Sequence, residues 1–124
     1  MSIFRALFRS VKHALQGLRL AFHSERSFRI QVLAAGLIIV VLFIVPLELW
    51  ERSILLLVTM FVLVLELLNS SLERLVDLAK PRLHAYAGDI KDLMAGSVLI
   101  AAVCALVLGL LILGPKLADL AMRI

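Results

Sequence analysis

Glu66, Asn69, Glu73 and Asp77 stand at intervals of three, four and four residues. At about 100° per residue in an α-helix they fall on one face, like rungs. Carboxylate and amide oxygens are hard donors, suited to a divalent cation such as magnesium or to a chain of proton carriers. Their setting makes the group informative. Residues 53–65, just before it, carry no charge, and an acid at the centre of a bilayer costs roughly 3 kcal/mol or more. Acids are rarely placed there without a use, so the face reads as a metal or proton site.

Other polar groups would meet this ladder at a membrane surface. Glu25 closes the N-terminal segment, and Asp89, Lys91 and Asp92 open the last apolar stretch. A carboxylate pair such as Glu25 and Glu73 could hold magnesium on a nucleotide, with Lys91 as a point charge on phosphate. Glu66, deeper in the apolar slab, is placed to take a proton from a hydroxyl at the interface. Phosphoryl transfer asks mainly for positioning and charge neutralisation, so this inventory is sufficient for it. Plainer roles exist for each group. Asn69, Ser70 and Ser71 serve equally as helix-packing polar residues. Asp92 suits a helix N-terminus and Lys91 a snorkelling cation. His84 fits a solvated loop, and Glu48 and Glu51 are expected to be solvated on the opposite side.

No Gly-rich phosphate loop and no protein-kinase motif is present. The single cysteine, Cys104, excludes an intrachain disulfide, and His13, His23 and His84 are too scattered for a zinc motif. Residue types and spacing therefore leave two classes open, a nucleotide-dependent transferase and a non-enzymatic proton or ion pathway. Glu25 and the Lys91-Asp92 pair favour the first, since a relay has no need of a surface cation and acid beside it.

The elements that must position these groups follow from composition. The chain has 124 residues, of which 63% are hydrophobic, and a mean hydropathy of +1.08, beyond what a soluble domain of this size can bury. Residues 30–47 and 93–115 are uncharged, and residues 53–65 continue as a helix through the ladder to about residue 79. A bilayer core takes roughly 20 helical residues. The pattern predicts one domain over 1–124, with membrane spans at about 29–47, 52–79 and 91–114. Pro46 lies in the first connection, and Pro81 is expected to end the second helix near Lys80.

The N-terminal segment is a separate element. Phe4, Leu7, Phe8, Val11, Leu15, Leu18 and Phe22 recur at three and four residues, with Arg5, Arg9, Lys12, Gln16 and Arg19 opposite. That pattern predicts an amphipathic helix over about 3–23, lying in the membrane interface. Arg5 and Arg9 are followed by no continuous apolar core or cleavage site, which speaks against a removable signal peptide. Ten of the thirteen basic residues lie before the first span or around residues 74–91; only Arg52, Lys116 and Arg123 lie on the other side. The positive-inside tendency then places the N-terminus and the 80–92 loop in the cytoplasm and the C-terminus outside. The net charge of +4 marks orientation and anionic lipid, with no sign of a nucleic-acid partner.

Taken together, Gly17-Leu18-Arg19-Leu20-Ala21-Phe22, Ser24-Glu25-Arg26-Ser27-Phe28-Arg29, the Glu66–Asp77 ladder, residues 81–84, Lys91-Asp92 and Ala95-Gly96 resemble the small bacterial integral-membrane diacylglycerol kinases. The likeness runs from about residue 4 to about 115. It implies an all-α membrane protein of three transmembrane helices and an amphipathic surface helix, assembled as a homotrimer with shared active sites in the bacterial cytoplasmic membrane. It implies transfer of the γ-phosphoryl group of MgATP to a lipid hydroxyl. Carried over residue by residue, Glu66 matches the general base and also contacts the lipid, and Glu25 and Glu73 match magnesium-holding carboxylates. Asn69, Glu73, Lys91 and Asp92 match residues around the nucleotide, and Arg82 and His84 a segment bordering it. Arg19 and Phe22 match the part of the surface helix beside the lipid. Asp77 is a candidate supporting residue.

Departures from the family's pattern bear on the acceptor. Ala6 stands where an arginine is common, His13 where a tyrosine is frequent near the adenine, and Gln31 where some members have a second acid. Ala95-Gly96 replaces a serine-containing pair, and members that phosphorylate undecaprenol share the ladder and tend to carry Ala-Gly. Diacylglycerol is the expected acceptor, giving phosphatidic acid, with undecaprenol as the alternative.

Overall fold

A computed structural model describes residues 2–124. It contains four helices: α1 (Ile3–Ser24), α2 (Arg26–Ile44), α3 (Leu49–Leu83) and α4 (Ala87–Arg123). The last three are long and apolar enough to cross a membrane. With 35 and 37 residues, α3 and α4 rise about 52 and 55 Å, well beyond a hydrocarbon core of about 30 Å. Both are thus longer than a span requires, and the ladder lies in the C-terminal half of α3. Glu66 to Asp77 spans eleven residues, a rise of about 16 Å, and the face runs from a buried end at Glu66 to an exposed one at Asp77.

One residue separates α1 from α2. Glu25 adopts an extended backbone (φ −113°, ψ 108°), and its N–H still donates to Ala21 O at 2.8 Å. The orphaned carbonyls at the end of α1 are satisfied from the next helix. Arg29 Nη1 donates to Phe22 O and His23 O, both at 2.9 Å, while Ser24 Oγ donates to Leu20 O at 2.6 Å. The chain thus turns at Glu25 with the carbonyls of residues 20–23 satisfied. Beyond this joint α1 is almost wholly exposed, with Ala21 its one buried residue. Phe4, Leu7, Phe8, Val11, Leu15, Leu18 and Phe22 are uncovered.

The packed core lies at the other end of the bundle. Leu42, Val45, Leu47, Leu55, Ile112 and Leu113 are buried together, with Ile38, Val41, Leu108 and Leu120 against them. A polar clasp closes this end. Glu48 and Glu51 form a capping box at the start of α3, in which Glu48 N–H donates to Glu51 Oε1 at 2.9 Å. Trp50 Nε1 donates to Glu48 Oε2 at 2.6 Å, and Arg52 Nε donates to Leu42 O at 3.0 Å, capping the end of α2. Lys116 Nζ reaches Glu51 from α4 at 3.8 Å.

Three expectations are corrected. Glu51 is not solvated: it is 7% exposed, because its carboxylate is turned inward to serve the cap and Lys116. Pro81 does not end the second span. α3 continues through it to Leu83, since a proline removes one helical donor to the carbonyl four residues back, here that of Asp77, which is exposed and open to water. Residues 80–92 accordingly form no loop. The connection is the short turn His84–Tyr86, and helix resumes at Ala87. Pro115 is likewise carried inside α4. Glu51→Ala is expected to lower stability by about 1–3 kcal/mol, the cost of a lost cap and buried charged hydrogen bond. Thermal unfolding in detergent checks this; turnover should be unaffected.

Candidate functional site

The ladder lies at the end of the bundle remote from that core, where α3 meets the α1–α2 joint and the start of α4. Glu66 is buried, at 6% exposure. Among the described residues its one hydrogen-bond partner comes from α2, where Ser27 Oγ donates to Oε1 at 3.4 Å. The charges of Glu73 and Glu25 both act on Glu66, which places the three carboxylates in one neighbourhood. One turn along, Asn69 Nδ2 donates to Glu73 Oε1 at 3.4 Å. Asn69 Oδ1 is buried and has no partner among the described residues, an acceptor oxygen left bare beside a carboxylate. A buried carbonyl of this kind calls for a donor or a cation that the chain alone does not supply.

Glu25 is held in place by α3. Arg74 donates to Ser24 Oγ at 2.7 Å and to Glu25 Oε1 at 3.4 Å, so the joint between α1 and α2 is tied to the ladder helix. At the water end, Lys91 Nζ donates to Asp77 Oδ1 at 2.6 Å across the α3–α4 turn. Glu73 also acts on Lys91. Glu25, Glu66, Asn69, Glu73, Asp77 and Lys91 therefore form a polar strip, drawn from the α1–α2 joint, α3 and α4.

The other expected site residues lie apart from it. Arg19 lines a shallow groove on α1 with Lys12 and Gln16. Phe22 is exposed and meets His23 edge-on, ring centroids 6.2 Å apart. Asp92, next to Lys91 in sequence but about 100° round the helix, borders a different groove with Asp89 and Ser97. His13, Arg82 and His84 are exposed, and no hydrogen bond or ion pair joins them to the strip among the described residues. Gln31 lines a cavity of about 270 Å³ among α2, α3 and α4, together with Thr59 and the small side chains Ala34, Ala35, Ala102, Ala105 and Gly109.

Comparison with known proteins settles the class. The family model for prokaryotic diacylglycerol kinase matches residues 12–113. The chain belongs to this family. It is 37% identical over 110 residues to an undecaprenol kinase from Bacillus subtilis, covering 89% of each chain. It is 36% identical over 112 residues to a diacylglycerol kinase from Synechocystis, covering 90% of this chain and 64% of that one. Over 104 residues it is 29% identical to a diacylglycerol kinase from Escherichia coli, covering 84% of this chain and 85% of that one. The protein is a membrane lipid kinase of the prokaryotic family, which implies ATP-dependent phosphoryl transfer.

For a kinase of this family the donor set can be tested against magnesium. Among the described residues no three His, Cys, Asp or Glu side chains converge as a cage. Magnesium on a nucleotide needs no such cage, since one or two carboxylates plus phosphate oxygens suffice. Glu25 and Glu73, with the bare Asn69 Oδ1 between ladder rungs, are the hard oxygens that fit. Two contacts were not read from the sequence. Ser27 reaches Glu66, and Arg74, counted only as an orienting charge, holds Glu25. Both sit inside the motifs that carry the family likeness, which was the available signal.

Proposed function

We propose that this protein transfers the γ-phosphoryl group of MgATP to the hydroxyl of diacylglycerol, giving phosphatidic acid, with Glu66 as the general base. The observation that carries this reading is the position of Glu66, a buried carboxylate at the apolar end of a strip whose other end is exposed and cationic. A lipid hydroxyl comes from the membrane and a nucleotide from water, so the reacting groups are brought together from opposite ends. As the acceptor oxygen bonds to phosphorus and the bond to the β-phosphate oxygen breaks, the hydroxyl proton passes to Glu66. Ser27 holds one carboxylate oxygen of Glu66, leaving the other to face the acceptor. Glu25 and Glu73, with Asn69 beside Glu73, would hold magnesium, which would supply charge neutralisation on the phosphate oxygens. Lys91 adds a cation to the same oxygens.

His13, Asp92, Arg82 and His84, assigned to the nucleotide, and Arg19 and Phe22, assigned to the lipid, make no hydrogen bond or ion pair with the strip of their own chain among the described residues. A homotrimer in which neighbouring chains supply these groups accommodates both facts. The exposed apolar face of α1 suits a helix lying on the cytoplasmic surface of the bacterial inner membrane, with the His84–Tyr86 turn in the cytoplasm and the C-terminus outside.

Undecaprenol is the second reading, favoured by the likeness to the Bacillus subtilis enzyme and by Ala95-Gly96. Purified protein in detergent, given MgATP with each lipid in parallel, separates the two. Faster phosphorylation of diacylglycerol is expected. Preference for undecaprenol keeps the site assignments and changes the acceptor, while no transfer to either lipid overturns the kinase mechanism.

A further inference from the structure

Asp77 and Lys91 make the shortest ion pair among the described residues, 2.6 Å between Oδ1 and Nζ. It joins two helices across the three-residue turn His84–Tyr86. The pair is open to water, with side chains 58% and 36% exposed, so it contributes little to stability. Its cost is nonetheless real, because a four-carbon stem with free rotamers is held in one place. A contact of small stabilising value that fixes a mobile cation is best understood by where the cation is put.

That place is defined by the ladder. Asp77 follows Glu73 by four residues, about one turn away on the same face, and Lys91 feels the charge of Glu73 as well as that of Asp77. The ammonium has three N–H donors. One is taken by Asp77, which leaves two for phosphate oxygens arriving beside Glu73. Two further charges bear on the pair: Glu73 acts on Lys91, and Lys80, one turn beyond on α3, acts on Asp77.

We propose that Asp77 is a positioning residue which aims Lys91 at the phosphates of the bound nucleotide. The proposal rests on the reading of Lys91 as a nucleotide-binding group. It assigns Asp77 no contact with the lipid or with the reacting atoms; its effect passes through Lys91 alone.

A double-mutant cycle tests it. The affinity for the magnesium complex of a non-hydrolysable imido analogue of ATP is measured for wild type, Asp77→Asn, Lys91→Met and the double variant, alongside the KM for each substrate. Asp77→Asn is expected to weaken nucleotide binding about tenfold in the wild-type background and less than about twofold once Lys91 is already gone. The KM for the lipid should be unchanged, and Asp77→Glu, which keeps a carboxylate within reach, should restore most of the affinity. Affinity losses that multiply in the double variant overturn the proposal, as does wild-type affinity in Asp77→Asn or a failure of Asp77→Glu to restore it. An equal rise in both KM values, the mark of general distortion, overturns it too. If Lys91→Met alone binds the analogue normally, the nucleotide role of Lys91 falls with it. That outcome is distinct from one in which Lys91 matters and Asp77 does not.

Discussion

Glu66→Gln should reduce phosphoryl transfer by about 10²- to 10⁴-fold, the usual contribution of a general base, while the protein stays folded and binds MgATP nearly as well as before. The amide keeps the size and shape of the carboxylate. Its carbonyl oxygen can still accept the hydrogen bond that Ser27 gives Oε1 at 3.4 Å, so little of the local packing is disturbed. What it lacks is the basicity needed to take a proton from a lipid hydroxyl. Glu66 is buried, and no other carboxylate of the strip lies as far into the apolar layer, so none can replace it. Single-turnover measurements with saturating nucleotide, set beside equilibrium nucleotide binding, separate the chemical step from affinity. Turnover comparable to wild type would remove Glu66 from the base role.

Glu73→Gln acts at a different point and should leave a different signature. The amide can still take the hydrogen bond from Asn69 Nδ2, but one anionic oxygen is lost from the proposed magnesium ligands. A charge-assisted contact contributes about 1.5–3 kcal/mol, which corresponds to a roughly tenfold to hundredfold shift in affinity. The midpoint of the magnesium titration should therefore move upward by about that factor, and activity should be partly recoverable at high magnesium. Glu66→Gln should show no such recovery. A magnesium titration identical to wild type would remove Glu73 from the ligand set.

Much of this arrangement can be seen in the residues. The 3-4-4 interval of the ladder is a property of one helix, and a straight helix preserves it. The helices themselves follow from apolar runs too long and too uncharged for a soluble fold. What the residues do not show is everything that depends on how one helix is rotated against another. That Ser27 meets Glu66, or that Arg74 ties down Glu25, follows from the register of α2 and of the α1–α2 joint against α3. Asp92 diverges from Lys91 for a related reason: adjacent residues in a helix point about 100° apart, and only one of them can face Asp77. The misplaced stop at Pro81 has a local cause. A proline ends a helix where the freed carbonyl would be buried, and at an exposed end that penalty is absent.

The separation of the packed core from the carboxylate strip has a consequence for how this enzyme can change. Active sites are commonly strained or loosely packed, so that gains in stability are offset by losses in activity. Here the two lie at opposite ends of helices more than 30 residues long. The Glu48–Glu51 cap, Arg52 and the Leu42–Leu113 cluster can be altered without touching the groups proposed to meet substrate. Substitutions that tighten the far end should raise thermal tolerance at constant turnover, and variation among descendants of this sequence can accumulate there while the strip is held fixed. The bundle is a handle and a working end made from the same helices, and selection can act on each with little regard to the other.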